Sequence, residues 1–237
     1  MGEFMSFRGK IYDSLRNRTS YRVRRWLKSR SWFVPLSKLV WGNEVYSQSY
    51  YESVERIEAS SVQHIGEWIS VHLQPKRVID VGCGPGHMMA ALAQRGVQTF
   101  GVDLSTAALA RVKDKKLPAQ KFDLTADVAL PGVPYELAVC CEVAEHLDAR
   151  YAGRLVDHLT SAAPVVFMTA AEPMDAQTDG VGLYHVNEQP NEYWIDLMQK
   201  RGYTLDQATT KECREYLAVR DVTPYLKVPM IFRSSAV

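Results

Sequence analysis

Arg77-Val-Ile-Asp-Val-Gly-Cys-Gly-Pro-Gly-His-Met-Met-Ala-Ala-Leu92 reads as a buried strand, a glycine turn and a helix in succession. Val78, Ile79 and Val81 form a short β-branched run, and Met88, Ala91 and Leu92 recur at helical spacing once the glycines end. Gly82, Gly84 and Gly86 let the chain bend sharply and admit a ligand where a Cβ would collide. Their G-x-G-x-G spacing departs from the G-x-G-x-x-G of dinucleotide-binding folds. Asp80, two residues before the first glycine, would repel a pyrophosphate and attract an ammonium.

Two further acids follow two further strands. Thr99-Phe-Gly-Val-Asp103 is an apolar run whose terminal carboxylate can accept hydrogen bonds from both hydroxyls of a ribose. A third strand is expected to end at Phe122-Asp123-Leu124, where a carboxylate can take an adenine amino group. Three acids after three successive strands suit a cationic nucleoside.

In the order and spacing of these elements the chain resembles the class I S-adenosylmethionine-dependent methyltransferases, from about Val62 to the C-terminus. The resemblance implies an α/β, Rossmann-like sheet of seven mostly parallel strands in the order 3-2-1-4-5-7-6. Strand 7 is then antiparallel, and helices cover both faces. It also implies S-adenosyl-L-methionine as cofactor. Gly82, Gly84 and Gly86 then surround the methionine part, with Asp80 and Cys83 in the same turn. Asp103 and Leu104 meet the ribose, Asp123 and Leu124 the adenine end, and Cys141 and Glu142 the cofactor from the end of strand 4. Tyr51 is expected to contact the cofactor from a lid.

The remaining strands follow from apolar runs. Leu137-Ala-Val-Cys-Cys141 and Pro164-Val-Val-Phe-Met-Thr169 predict buried strands 4 and 5. Asn191 to Arg201 predicts a helix, Tyr203-Thr-Leu strand 6 and Pro229-Met-Ile-Phe232 strand 7. The connection from Ala170 to Gln189, with Asp179-Gly180-Val-Gly182, is long enough to suggest a functional loop.

With 237 residues the chain suits one α/β domain plus an appendage. Residues 1–4 look like a cloning scar. Residues 5–40 form a basic, aromatic-bearing segment in which ten lysines and arginines between Arg8 and Lys38 face only Asp13. Residues 41–75 read as a helical lid and 76–237 as the methyltransferase domain. The chain as a whole is nearly neutral, at +1, so overall charge names no partner. The basic segment around 6–40 can lie on an anionic membrane or grip a polyanion, and a solvated helix packed beside the core is the alternative.

No run approaches the ~20 apolar residues of a membrane span, and no signal-peptide pattern is visible. Cys83, Cys140, Cys141 and Cys213 lack metal spacing and suit small core residues in a reducing cytoplasm. No helix-turn-helix or base-reading element points to DNA.

The acceptor side is expected after strand 4, because in an open parallel sheet ligands bind where the strand order reverses. If the chain turns helical there at once, Glu142, Glu145 and His146 share one face at i, i+3 and i+4. His185, leaving the loop after strand 5, can reach the same pocket. Two chemistries are open. In one, His146 or His185 is the general base for an acceptor hydroxyl, with Glu145 beside it. In the other, Glu142, Glu145, His146 and His185 hold Mg²⁺ or Mn²⁺, an arrangement similar to that of the small-RNA 2′-O-methyltransferases.

A packing role for these residues is a third possibility. The run from His185 to Trp194 resembles methyltransferases of bacterial glycan and natural-product pathways, which favours a small-molecule or oligosaccharide acceptor. The competing expectations are an RNA or protein acceptor reached through the basic N-terminus, and a non-catalytic cofactor-binding module.

Overall fold

The computed structural model describes residues 59–173 and 185–235. Strand β1 (Arg77–Val81) lies mid-sheet, parallel to β2 (Gln98–Asp103) on one side and β4 (Leu137–Cys141) on the other. Beyond β2 comes β3 (Ala119–Lys121), and beyond β4 comes β5 (Val165–Thr169), both parallel. Strand β7 (Met230–Ser234) inserts antiparallel between β5 and β6 (Tyr203–Leu205). The order β3-β2-β1-β4-β5-β7-β6 is the one the resemblance implied.

Period-two alternation along the strands divides the core between two faces. Val78, Leu137, Val139, Phe167 and Ile231 face one way. They meet helix α1, described over 59–68 and running into a π-turn at Ile69–Leu73, and α2 (His87–Ala93). Ile79, Ala138, Cys140, Val166 and Met168 face the other way, against Leu155 and Leu159 of a further helix and Trp194 of another. Helix α3 (Thr106–Asp114) follows β2, and its N-terminus is capped by Ser105 Oγ, which accepts from the Ala108 amide at 3.2 Å. The helices on the second face are α4 (Ala152–Ala162) and α5 (Asn191–Gln199), while α6 (Gln207–Ala218) joins the first. Trp68 and Trp194 anchor opposite faces with no exposed surface, and truncating such a side chain to alanine costs about 3–5 kcal/mol.

The structure revises the end of strand 3 and adds two helices. In the described part of the 41–75 segment, Ile65, Trp68 and Ile69 are fully buried against β1, β4 and β5. Strand 3 stops at Lys121, before Phe122-Asp123-Leu124, because Phe122 turns inward to pack edge-on against His158, 5.4 Å between ring centroids. Helices α4 and α6 were not singled out in the sequence, although each supplies a full stripe of core side chains. Among the described residues no helix is long and apolar enough to cross a membrane. The four cysteines are free, and all but the half-buried Cys141 are buried. The basic segment 5–40, Tyr51 and Asp179-Gly180-Val-Gly182 lie outside the described residues.

Candidate active site

The glycine turn after β1 is fastened to β2 by two bonds, from the Gly82 and Cys83 amides to the Val102 carbonyl at 2.8 and 3.0 Å. Asp103, at the end of β2, completes the fastening. One of its carboxylate oxygens accepts from the Gly84 amide at 2.9 Å and the other from the Ser105 amide at 2.7 Å. Burial raises the Asp103 pKa, while the amides of Ser105, Gly84 and Leu104 pull against that rise. Each oxygen keeps a second lone pair for a ligand. Leu104 stands 58% exposed beside it, an apolar side chain left open at the rim of the turn.

Gly84 adopts φ +51° with nothing within 4 Å of where a Cβ would stand, so the turn leaves an open cradle there. Asp80 underlies the cradle, 4% exposed, with Oδ2 unpartnered. Its pKa rises to about 7, first through burial and then through the charge of Asp103.

Asp123 opens the loop after β3, and its Oδ1 accepts from the Thr125 amide and hydroxyl at 2.8 and 2.7 Å. Leu124 packs against the core beneath. Arg154 of α4 donates to the Thr125 carbonyl and so ties this loop to that helix. That tether spans 29 residues and has no local sequence signature.

After β4 the chain does not turn helical at once. Cys141 ends the strand, and Glu142 takes the left-handed conformation at φ +55°, its amide 3.2 Å from Thr169 Oγ1. Val143 then folds back over the glycine turn, where a Cβ on Gly82 would come within 2.4 Å of Val143 Cγ2. The turns after β1 and β4 therefore touch at the point where strand order reverses. A short 3₁₀ turn, Ala144–His146, follows.

This geometry takes Glu142 off the expected helical face. Glu145, His146 and His185 do converge, each offering a ligand atom within 4.8 Å of the others. The two imidazoles meet edge-on, 4.8 Å between centroids. His185 Nδ1 lies 3.2 Å from a Glu188 carboxylate oxygen. Glu145 has no exposed surface, and neither carboxylate oxygen has a hydrogen bond of normal geometry. Burial, and then the neighbouring Glu142 charge, push its pKa well above the usual range, against weaker opposing pulls from the Glu145 and Ala171 amides. Burying a charge is costly, so this environment favours the protonated form of Glu145.

The residues that bring His185 to this place were not recognised in the sequence. The Val186 and Asn187 amides both donate to the Glu145 carbonyl, at 2.8 and 3.0 Å.

The family profile described as a methyltransferase domain matches residues 52–208. The chain belongs to the class I S-adenosylmethionine-dependent methyltransferases. Among curated relatives, the ubiquinone biosynthesis O-methyltransferase of Stutzerimonas stutzeri is 32% identical over 106 residues, 42% of this chain and 45% of that protein. The match thus spans less than half of that relative's length.

Among solved structures, magnesium protoporphyrin IX methyltransferase from Synechocystis PCC 6803 with bound SAH superimposes with a TM-score of 0.58 at 15% identity. That alignment covers 80% of this chain and 95% of that one. The methyltransferase domain of a bacterial CtHen1 gives 0.53 at 18% identity, over 74% and 97%. At these identities the structural matches speak for the fold. The cradle of this methyltransferase fits its cofactor: the unpartnered oxygen of Asp80 offers a carboxylate to an ammonium, and Gly84 leaves clear the space that a side chain would fill.

Proposed function

We propose that this methyltransferase transfers the methyl group of S-adenosylmethionine to a hydroxyl of a small saccharide or natural-product acceptor. The observation that carries the reading is the convergence of Glu145, His146 and His185 at the ends of β4 and β5, beside the glycine turn. Curated relatives named as O-methyltransferases support it.

The bound sulfonium supplies an electrophilic methyl group. The acceptor oxygen forms the new C–O bond as the C–S bond breaks, its electron pair going to sulfur, and the hydroxyl proton passes to an imidazole nitrogen. His185 suits that role because its Nδ1 lies 3.2 Å from Glu188, a carboxylate placed to stabilise the imidazolium once the proton has been taken. His146, edge-on to it, confines the ring. Positioning carries much of the acceleration for such an activated donor.

A second reading is favoured by the orphaned oxygens of Glu145: with His146 and His185 they would hold Mg²⁺ or Mn²⁺, which lowers the pKa of a bound hydroxyl.

The test is to incubate the full chain with methyl-labelled S-adenosylmethionine and a panel of hydroxylated saccharides and polyketides, with and without chelator. Labelled methyl ethers are expected. Survival of turnover in chelator selects the imidazole base, and its loss with rescue by Mg²⁺ or Mn²⁺ selects the metal. Label appearing only on RNA, protein or amine acceptors would overturn the proposal.

A further inference from the structure

We propose that Asn187 is a positioning residue that latches the 185–189 strap to the turn after β4 and so holds His185 in place against Glu145 and His146. The role rests on reading that trio as the acceptor site, but its warrant is geometric. Asn187 is 3% exposed, although it lies in a connection rather than in a helix or strand, and carboxamides are mostly exposed unless their bonds are met inside.

Its bonds are met on the turn. Nδ2 donates to the Ala144 carbonyl at 3.4 Å, and its backbone amide donates to the Glu145 carbonyl at 3.0 Å. Val186 adds a second amide to that carbonyl at 2.8 Å. The Asn187 carboxamide is in turn oriented by Gln189, whose Nε2 donates to Oδ1 at 2.9 Å. The bonds from strap to turn thus end on the two residues immediately before His146.

The contact between His185 and Glu188 lies within the strap and does not by itself set where the strap sits. At the far end the Asn191 amide donates to Glu172 Oε1 at 3.3 Å, which ties the exit of the loop to its entry without reaching the trio. Removing the Asn187 side chain leaves the Ala144 carbonyl without this donor and opens a gap beneath the strap. The strap then keeps only the Val186 and Asn187 amides on the Glu145 carbonyl, and His185 can swing about that hold away from His146 while α4, α5 and the sheet keep their packing.

The experiment is NMR on the full chain with ring-labelled histidine, assigned with His146→Ala and His185→Ala. In the unmodified chain the two rings should show a cross-ring NOE. In Asn187→Ala that NOE should vanish and both ring signals should shift, with the methyl resonances of Leu155 and Leu159 unmoved. Asn187→Asp keeps the volume and the acceptor for Gln189 but removes the donor to Ala144, so it should show the same loss and decides the matter if the alanine variant fails to fold. A cross-ring NOE retained in Asn187→Asp overturns the latch. Undiminished turnover in both His146→Ala and His185→Ala would instead sink the acceptor-site reading and leave the latch standing, because the latch is read from ring contact alone.

Discussion

Asp80 binds its proton more tightly in the folded chain than in the unfolded one, because burial and the Asp103 charge lift its pKa from 3.8 to about 7. The native state therefore carries no penalty below about pH 4, an increasing one from there to about pH 7, and a constant one above. At 1.36 kcal/mol per unit this reaches about 4 kcal/mol. Glu145, raised for the same reason, acts in the same direction. The cofactor-free chain should then resist urea better at pH 5 than at pH 8, and Asp80→Asn should remove part of the difference; equal stability at both values in the unmodified chain would contradict this. A bound ammonium favours the ionised carboxylate, so affinity for S-adenosylhomocysteine should fall between pH 8 and pH 6, and much less in Asp80→Asn. Asp103 makes a separate contribution. Charge-assisted bonds are worth about 1.5–3 kcal/mol each, so Asp103→Ala should weaken S-adenosylhomocysteine at least about tenfold by calorimetry, and an unchanged affinity would remove Asp103 from the ribose.

At the scale of elements, Gly101 in β2 sits where a Cβ would come within 2.5 Å of Met89 Sδ and 2.7 Å of Cys83 Sγ, both buried. Gly101→Ala should cost about 1–3 kcal/mol through overpacking, measured by urea unfolding, and a neutral result would mean that α2 yields easily. A glycine inside a strand marks such a close approach, but Gly101 was not singled out in the sequence. Strands β1, β4, β5 and β7 were legible because each is a short apolar run bounded by acids, prolines or glycines, and β4 spans Leu137–Cys141 as read, whereas β3, Ala-Gln-Lys, has no such run. Helices α4 and α6 were passed over because their apolar stripes are diluted by polar residues. The left-handed Glu142 was illegible for another reason: its conformation is set by Thr169, 27 residues away, and by Val143 lying over Gly82. The same non-local cause hid Asn187, whose partner Ala144 is 43 residues distant.

At the scale of the whole molecule, the sheet brings the ends of β1, β2, β4 and β5 to one edge, so one methyl donor and one acceptor can meet between turns that already touch. The basic segment before Trp41 lies outside the described residues. We propose that it contacts anionic membrane, and deleting it should spare turnover on a soluble acceptor while weakening attachment to anionic vesicles at low salt; absence of vesicle binding by the full chain at low salt would defeat the membrane contact, and a large loss of turnover on deletion would place the segment in the acceptor site instead. The most direct test of the central claim compares His146→Ala and His185→Ala with the unmodified chain at saturating S-adenosylmethionine. If either imidazole is the base, kcat in that variant should fall by about 10²–10⁴ while S-adenosylhomocysteine affinity stays within about twofold. Full kcat in both variants would contradict the account.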